Sequence, residues 1–304
     1  MKRALITGAA GFAGQHLARR LQANGWELVL SDCVSQAGIV PCDMAQADEV
    51  AALVETAGEL SHVFHLAART FVPESMESPA NTFEVNLVGT VHLTTQLARM
   101  PKPPRLVFIG SAEAYGPPDF LPVTEEHLLA PQNPYAMSKA CADQFCGYLS
   151  QRGVMEIIRV RPFNHSGAGQ SPQFVLSSFA KQIADIEAGR AEPVLRVGNL
   201  EAQRDFSHVH DVSRGYELLA LHGQPGEAYN ICSGKAVAVR EVLERLLSMS
   251  DAEIRVEQDP ARMRPVDVPV VTASHAKLTA HTGWQPEYTL EEVLRDVLEY
   301  WRAQ

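Results

Sequence analysis

Apolar and β-branched residues come in short runs through the first half of the chain: RALIT (Arg3 to Thr7), ELVLSD (Glu27 to Asp32), HVFHLAA (His62 to Ala68), RLVFIGS (Arg105 to Ser111) and EIIRVRP (Glu156 to Pro162). Each run is bounded by turn residues, which predicts a strand. Between the later runs, residues 81 to 99 and 134 to 152 carry amphipathic helical spacing. Strand, helix, strand, repeated, predicts a parallel sheet, because parallel neighbours need a crossover between them. The runs are nearly continuous in apolar character rather than alternating, as expected when helices cover both faces. The predicted fold class is α/β, a doubly wound parallel sheet.

After Pro162 the rhythm breaks into NHSGAGQSPQ, rich in Gly, Ser and Pro, and later helical stretches no longer each precede a sheet strand. A smaller second lobe is expected from here. The segments RDFSHVHDVSRGYELLALHG and AYNICSG read as a helix and a strand returning to the first sheet, so the lobe is discontinuous. The boundaries that follow are 1–165 for the sheet domain, with a return near 207–232, and 166–206 plus 233–304 for the C-terminal lobe.

Composition narrows the function. A chain of 304 residues with 46% hydrophobic and 20% charged residues is an ordinary globular composition. Its formal charge of -10 argues against nucleic acid or an anionic membrane as partner, so any phosphate must be gripped by local arginines. Cys33, Cys42, Cys141, Cys146 and Cys232 form no CxxC pair and no zinc-ligand spacing. Reduced thiols, no metal and a reducing compartment are expected. The first residues run directly into an apolar strand and no run reaches transmembrane length, so a cytoplasmic protein is expected.

Gly8, Gly11 and Gly14 form GAAGFAG directly after the first strand and at the start of a helical pattern. Glycine there allows a tight turn and close approach of a pyrophosphate, and the helix N-terminus adds unpaired amides. Asp32 ends the second strand, 18 residues past Gly14, where a carboxylate can accept from both adenosine ribose hydroxyls and repel a 2'-phosphate. No Lys or Arg occurs between Arg20 and Arg69 to offset that repulsion. NAD(H) is therefore favoured, with NADP(H) possible; Asp43, in PCDM, is placed to reach the adenine amine or to serve as a loop cap.

Tyr135 and Lys139 in YAMSK are four residues apart, on one helix face, and Ser111 ends a predicted central strand, where open α/β sheets place their ligands. Interchange of a carbonyl and an alcohol needs a proton donor or acceptor, a hydrogen bond to the oxygen and a nearby cation; Tyr135, Ser111 and Lys139 supply these in turn. Lys139 is expected to lower the tyrosine's pKa and to hold the nicotinamide ribose.

Together TGAAGFAG, HLAA, Ser111 and YAMSK resemble the extended short-chain dehydrogenase/reductase family over nearly the whole chain. The resemblance implies a Rossmann domain carrying NAD(P), a C-terminal lobe binding a nucleotide sugar, and hydride exchange with a sugar carbon. It adds Phe12, Ala13, Met44, Leu66, Ala67 and Ala68 to the cofactor contacts and gives Asn86, in EVNLVGT, a partly structural role. RPFNHSGAGQ looks like the family loop whose asparagine, here Asn164, contacts the substrate. RDFSHVHDV carries Arg204, and DPARMRPVDV carries Arg262, Arg264 and Asp267. Dispersed arginines can grip a pyrophosphate bidentately in an acidic protein.

FNH with DPARMRPVDV resembles the branch acting on GDP-mannose, with Arg264 on the diphosphate and Asp267 on the adjacent N–H donors of guanine. Two activities divide that branch. A 4,6-dehydratase needs a base and an acid beyond the tyrosine; a 4-ketoreductase does not. GSAEAYG keeps Glu113 at the position of the dehydratase base but puts Ser111 where Thr is usual and Ala112 where a polar group is usual, and a methyl donates no proton. The stretch ARTFVPES, with Thr70, Val72 and Glu74 as substrate contacts, also looks like a reductase. The expected activity is reduction of the C4 ketone of GDP-4-keto-6-deoxy-D-mannose, with the dehydratase as alternative and a non-catalytic NAD or nucleotide sensor as an alternative of another class. The family's dimers imply a homodimer through the helices near 81 to 99 and 134 to 152, where Phe83, Leu87, Val91 and Leu97 could serve core or interface.

Overall fold

The computed structural model describes residues 2–262 and 268–304. The first half runs β1 (Arg3–Thr7), α1 (Phe12–Ala23), β2 (Glu27–Asp32), β3 (Val40–Pro41), α2 (Ala47–Ala57), β4 (His62–His65), α3 (Val72–Glu77), α4 (Pro79–Phe83), α5 (Gly89–Ala98), β5 (Arg105–Ile109), α6 (Pro134–Gln151) and β6 (Ile157–Pro162). The second half runs β7 (Asn164–Ser166), α7 (Val175–Glu187), β8 (Val194–Val197), β9 (Gln203–His208), α8 (Val209–His222), β10 (Ala228–Ile231), β11 (Ala236–Ala238), α9 (Val239–Leu247), β12 (Arg255–Gln258), α10 (Ala276–Thr282) and α11 (Leu290–Arg302).

Among the described residues the main sheet has seven strands in the order β10-β6-β5-β4-β1-β2-β3, all parallel. The chain moves outward from β1 to β2 and β3, then returns to the other side of β1 at β4. That reversal opens a crevice at the C-terminal ends of β1 and β4. Two smaller sheets, β11-β9-β7 and β12-β8, lie outside it.

The apolar runs are explained by helices on both faces. Along β1, Ala4 and Ile6 enter one core with Leu17 and Leu21 of α1, while Leu5 enters the other with Leu53 of α2 and Leu93 of α5. Along β5, Val107 and Ile109 join the first core, and Leu106 and Phe108 the second. Both parities are buried, so no polar alternation survives. Tyr216 and Leu219 of α8, Tyr229 and Ile231 of β10, and Leu278 and Trp284 further on also pack in the first core. A third core gathers Phe179 and Ile183, Val242 and Leu246, and Leu294 and Leu298, from α7, α9 and α11.

Three local departures from the expected elements all fall near the crevice. β4 stops at His65, and the backbone of Leu66 and Ala67 then passes close against Gly8. β5 stops at Ile109, and Ser111 instead caps a short 3-10 turn, Ala112–Tyr115. The helix expected over 81 to 99 is α4 and α5 joined by a π-helical turn, Glu84–Val88. Of the apolar residues along it, Leu97 belongs to the core and Leu87 packs against it, whereas Val88 is exposed.

Candidate active site

The glycine-rich turn is shaped by what it lies against. Gly8 has φ +73°, and a Cβ there would lie 2.6 Å from the Ala67 nitrogen. A Cβ on Gly14 would lie 2.1 Å from the Gly8 carbonyl oxygen, so no larger residue fits. No side chain caps α1 at Gly11, which leaves the first-turn amides of Phe12, Ala13 and Gly14 free to bind an anion. Asp32 accepts from Ala10 N at 2.9 Å through Oδ2 and from Cys33 N at 2.8 Å through Oδ1, joining the rim of β2 to the turn. Asp43 accepts from Ala45 N at 2.9 Å, the cap of the loop that carries the buried Met44. The cradle fits a dinucleotide: a turn that glycines let close tightly on its own backbone, helix amides with no side-chain cap and a carboxylate at the end of β2.

The catalytic candidates converge at the next two strands. Asn133 caps α6 by accepting from Ala136 N at 2.8 Å, and Pro134 occupies the first turn, which sets Tyr135 at the helix mouth. Ser111 lies beside the Tyr135 phenol, and its Oγ accepts from Glu113 N at 3.2 Å. Lys139, one turn along α6, is buried over the Phe108 ring and donates to the Ile109 carbonyl at 2.8 Å. Burial pulls the Lys139 ammonium down to about 8. The phenol departs from expectation. Burial pushes Tyr135 up to about 12, with Ser111 pulling it back and the charge of the exposed Glu113 adding to the rise. Lys139 is not among the groups that lower it.

The segment after β4 is tied to this helix. Asn86, aimed inward by the π-helical turn, accepts from Arg69 N at 2.8 Å and donates to Arg69 O and Ser138 Oγ, each at 3.0 Å. Ser75 Oγ accepts from Tyr135 N at 3.2 Å and donates to Val72 O at 2.6 Å. Thr70 is exposed, Val72 half-buried, and Glu74 pairs with Arg69. On the far side, Asn164 is exposed at the start of β7.

The arginines expected to hold a diphosphate are spread through the lobe. Arg204, on β9, donates to the Gln203 and Val268 carbonyls at 2.8 and 2.7 Å. Arg262 donates to Ser178 Oγ at 3.0 Å and pairs with Asp259 at 3.6 Å. Arg264 and Asp267 lie outside the described residues.

Several residues at the site carry no sequence signal of their own. His65 is fully enclosed between Thr7 Oγ1 at 2.7 Å and Thr90 Oγ1 at 3.0 Å. Thr90 spends its own proton on the Asn86 carbonyl, so His65 Nε2 donates to Thr90 and Nδ1 accepts from Thr7. Burial pulls its pKa down to about 3, with Lys139 contributing, which keeps the ring neutral. His165 stacks on Phe12 with ring centres 6.0 Å apart, and its Nδ1–H donates to the Phe163 carbonyl at 3.0 Å. An isolated histidine in an apolar run gives no hint of which threonines will meet it.

A glycine cradle at the switch point of a parallel sheet, with Ser111, Tyr135 and Lys139 beside it, defines an extended short-chain dehydrogenase/reductase. Residues 5–297 match the family described as GDP-mannose 4,6 dehydratase, and the chain belongs to that family. It is 38% identical, over 99% of this chain and 98% of the relative, to a GDP-6-deoxy-D-mannose reductase of Pseudomonas aeruginosa. The structure is similar to that of RMD from Pseudomonas aeruginosa complexed with NADPH, with a TM-score of 0.91 and 36% identity over 100% of this chain and 99% of that one. It is also similar to the UDP-glucose 4-epimerase of Thermus thermophilus in complex with NAD, with a TM-score of 0.88 and 28% identity over 99% of each.

Proposed function

We propose that the chain is an NAD(P)-dependent oxidoreductase that reduces the C4 ketone of GDP-4-keto-6-deoxy-D-mannose to give GDP-6-deoxy-D-mannose. The observation that carries this reading is the buried Tyr135 phenol beside the buried Ser111 and Lys139, its pKa pushed up to about 12 by burial. Such a phenol is fully protonated at neutral pH, the state a proton donor to a developing C4 alkoxide requires. The dihydronicotinamide, when bound, supplies the hydride to C4. Tyr135 gives its proton to the C4 oxygen, Ser111 orients that oxygen, and Lys139 holds positive charge near the phenolate as it forms. Gly8, Gly11 and Gly14 with the amides of α1 hold the diphosphate of the cofactor, and Asp32 faces its adenosine ribose.

Asp32 favours NADH over NADPH by charge. The structure of RMD with NADPH supports a site of this fold that admits a 2'-phosphate, and the ratio of kcat/KM for the two cofactors measures the preference. The lobe formed by 166–206 and 233–304 takes the GDP moiety, with Arg204, Arg262 and Arg264 toward the diphosphate and Asp267 toward guanine. The protein acts in the cytosol; among the described residues no helix is long and apolar enough to cross a membrane.

Dehydration is disfavoured because Ala112 carries no proton to lend to a leaving hydroxyl, which leaves Glu113 to accept hydrogen bonds from the sugar or its own turn. The test incubates the protein with GDP-mannose and NAD(P) and follows the nucleotide sugar by mass. No loss of water is expected, and Glu113→Gln should keep ketone reduction within ~10-fold of the parent, whereas losing a general base costs at least ~100-fold. Loss of one water from GDP-mannose at a rate comparable with ketone reduction, abolished by Glu113→Gln, would establish the dehydratase instead.

A further inference from the structure

Arg161 lies one residue before the end of β6 and three before Asn164, and its guanidinium is buried. It donates from Nε and Nη2 to the two oxygens of Asp143, at 3.0 and 2.8 Å, and from Nη1 to the Tyr115 hydroxyl at 2.9 Å. Asp143 lies on α6 four residues beyond Lys139 and eight beyond Tyr135, roughly on their face of the helix. Tyr115 ends the turn that Ser111 begins and donates onward to Asn230 Oδ1 of β10 at 2.7 Å. Arg161 thus joins the helix bearing Tyr135 and Lys139, the turn bearing Ser111 and Glu113, and the strand leading to Asn164, sharing Asp143 with Arg159, whose Nη1 donates to Asp143 Oδ1 at 2.9 Å.

Apolar packing could hold three such elements together, and a buried ion pair often stabilises no more than apolar residues of the same volume would. What the guanidinium adds is direction: two bonds fix the helix and a third fixes the turn in one plane. We propose that Arg161 is a positioning residue for the reduction, setting through Asp143 and Tyr115 the spacing between the Ser111 hydroxyl and the Tyr135 phenol. This rests on the reading of Tyr135 as proton donor. Arg161 also lines a cavity of about 670 Å³ with Arg159, Glu125, Glu227 and Lys277, which gives a small cation a route to its place.

The experiment measures NAD(P)H-dependent reduction of GDP-4-keto-6-deoxy-D-mannose by the parent, Tyr115→Phe and Arg161→Ala, with cofactor Kd and melting temperature alongside. Misplacing reacting groups by an ångström costs up to about 100-fold, so kcat should fall ~10-fold in Tyr115→Phe and ~100-fold in Arg161→Ala. Cofactor Kd and sugar KM should stay within about threefold of the parent, and millimolar guanidinium should restore much of the Arg161→Ala loss. Tyr115→Phe removes one oxygen and decides alone if Arg161→Ala does not fold. A parent that consumes neither NADH nor NADPH overturns the functional reading and this inference together. An active parent overturns the inference alone if Tyr115→Phe keeps the parent kcat and only melts lower, or if its kcat loss is matched by an equal loss of cofactor affinity.

Discussion

Tyr135 and Lys139 are buried four positions apart, and loss of solvent disfavours the charged form of each, moving the phenol up to about 12 and the ammonium down to about 8. The consequence for a reductase is an asymmetric pH profile. Below about 8 both groups carry their protons; above it Lys139 loses its charge while Tyr135 keeps its hydrogen. We predict that kcat/KM for ketone reduction is flat from pH 6 to 7.5 and declines as pH rises through about 8, whereas a profile that rises through that range would assign the controlling group elsewhere. Tyr135→Phe keeps the ring and removes the transferable proton, so turnover should drop at least ~100-fold with cofactor affinity little changed. Near-normal turnover would show that the proton comes from another group. The Tyr135–Lys139 pair was legible in the sequence because helical spacing is local. The direction of the phenol's shift was not, because it depends on how deeply the fold buries the ring.

Among the elements, the β1–α1 turn was the most legible, since each glycine answers a contact within the turn or just across it. Gly14 is the strictest of these, facing the Gly8 carbonyl at 2.1 Å from a built Cβ. Gly14→Ala should therefore force α1 away from the turn and weaken NAD(P)H binding at least ~10-fold, a cost of about 1.4 kcal/mol or more, as read by fluorescence titration. Unchanged affinity would show that α1 can shift without disturbing the cofactor. The π-helical turn at Glu84–Val88 was not legible. A pattern of apolar positions over 81 to 99 fits an unbroken helix equally well, and the extra residue declares itself only where Asn86 meets Arg69 and Ser138. The Arg161 cluster escaped for a related reason: Tyr115, Asp143 and Asn230 are far apart in sequence and meet only once β6 and β10 pair.

Over the whole molecule, the doubly wound sheet was legible from strands buried on both faces, and the smaller sheets were not, since strands such as β11 (three residues) carry too few positions to show a period. The surface suggests how copies meet. Val88 beside α5 and Met137 and Tyr148 on α6 are exposed apolar side chains on the two helices expected to form a dimer. If they are covered by a second copy, Met137→Glu should shift the protein toward monomer in sedimentation analysis without abolishing activity per chain; an unchanged dimer would place the interface elsewhere, and a monomeric parent would remove it. The central claim is a hydride delivered to C4 of a GDP-linked keto-sugar, and it is tested most directly with cofactor deuterated at the transferring position of the nicotinamide. Incubated with GDP-4-keto-6-deoxy-D-mannose, the protein should consume one equivalent of NADH or NADPH and yield GDP-6-deoxy-D-mannose with a single deuterium at C4. Product lacking that deuterium, or cofactor left unconsumed while the protein is folded and binds it, would contradict the reduction.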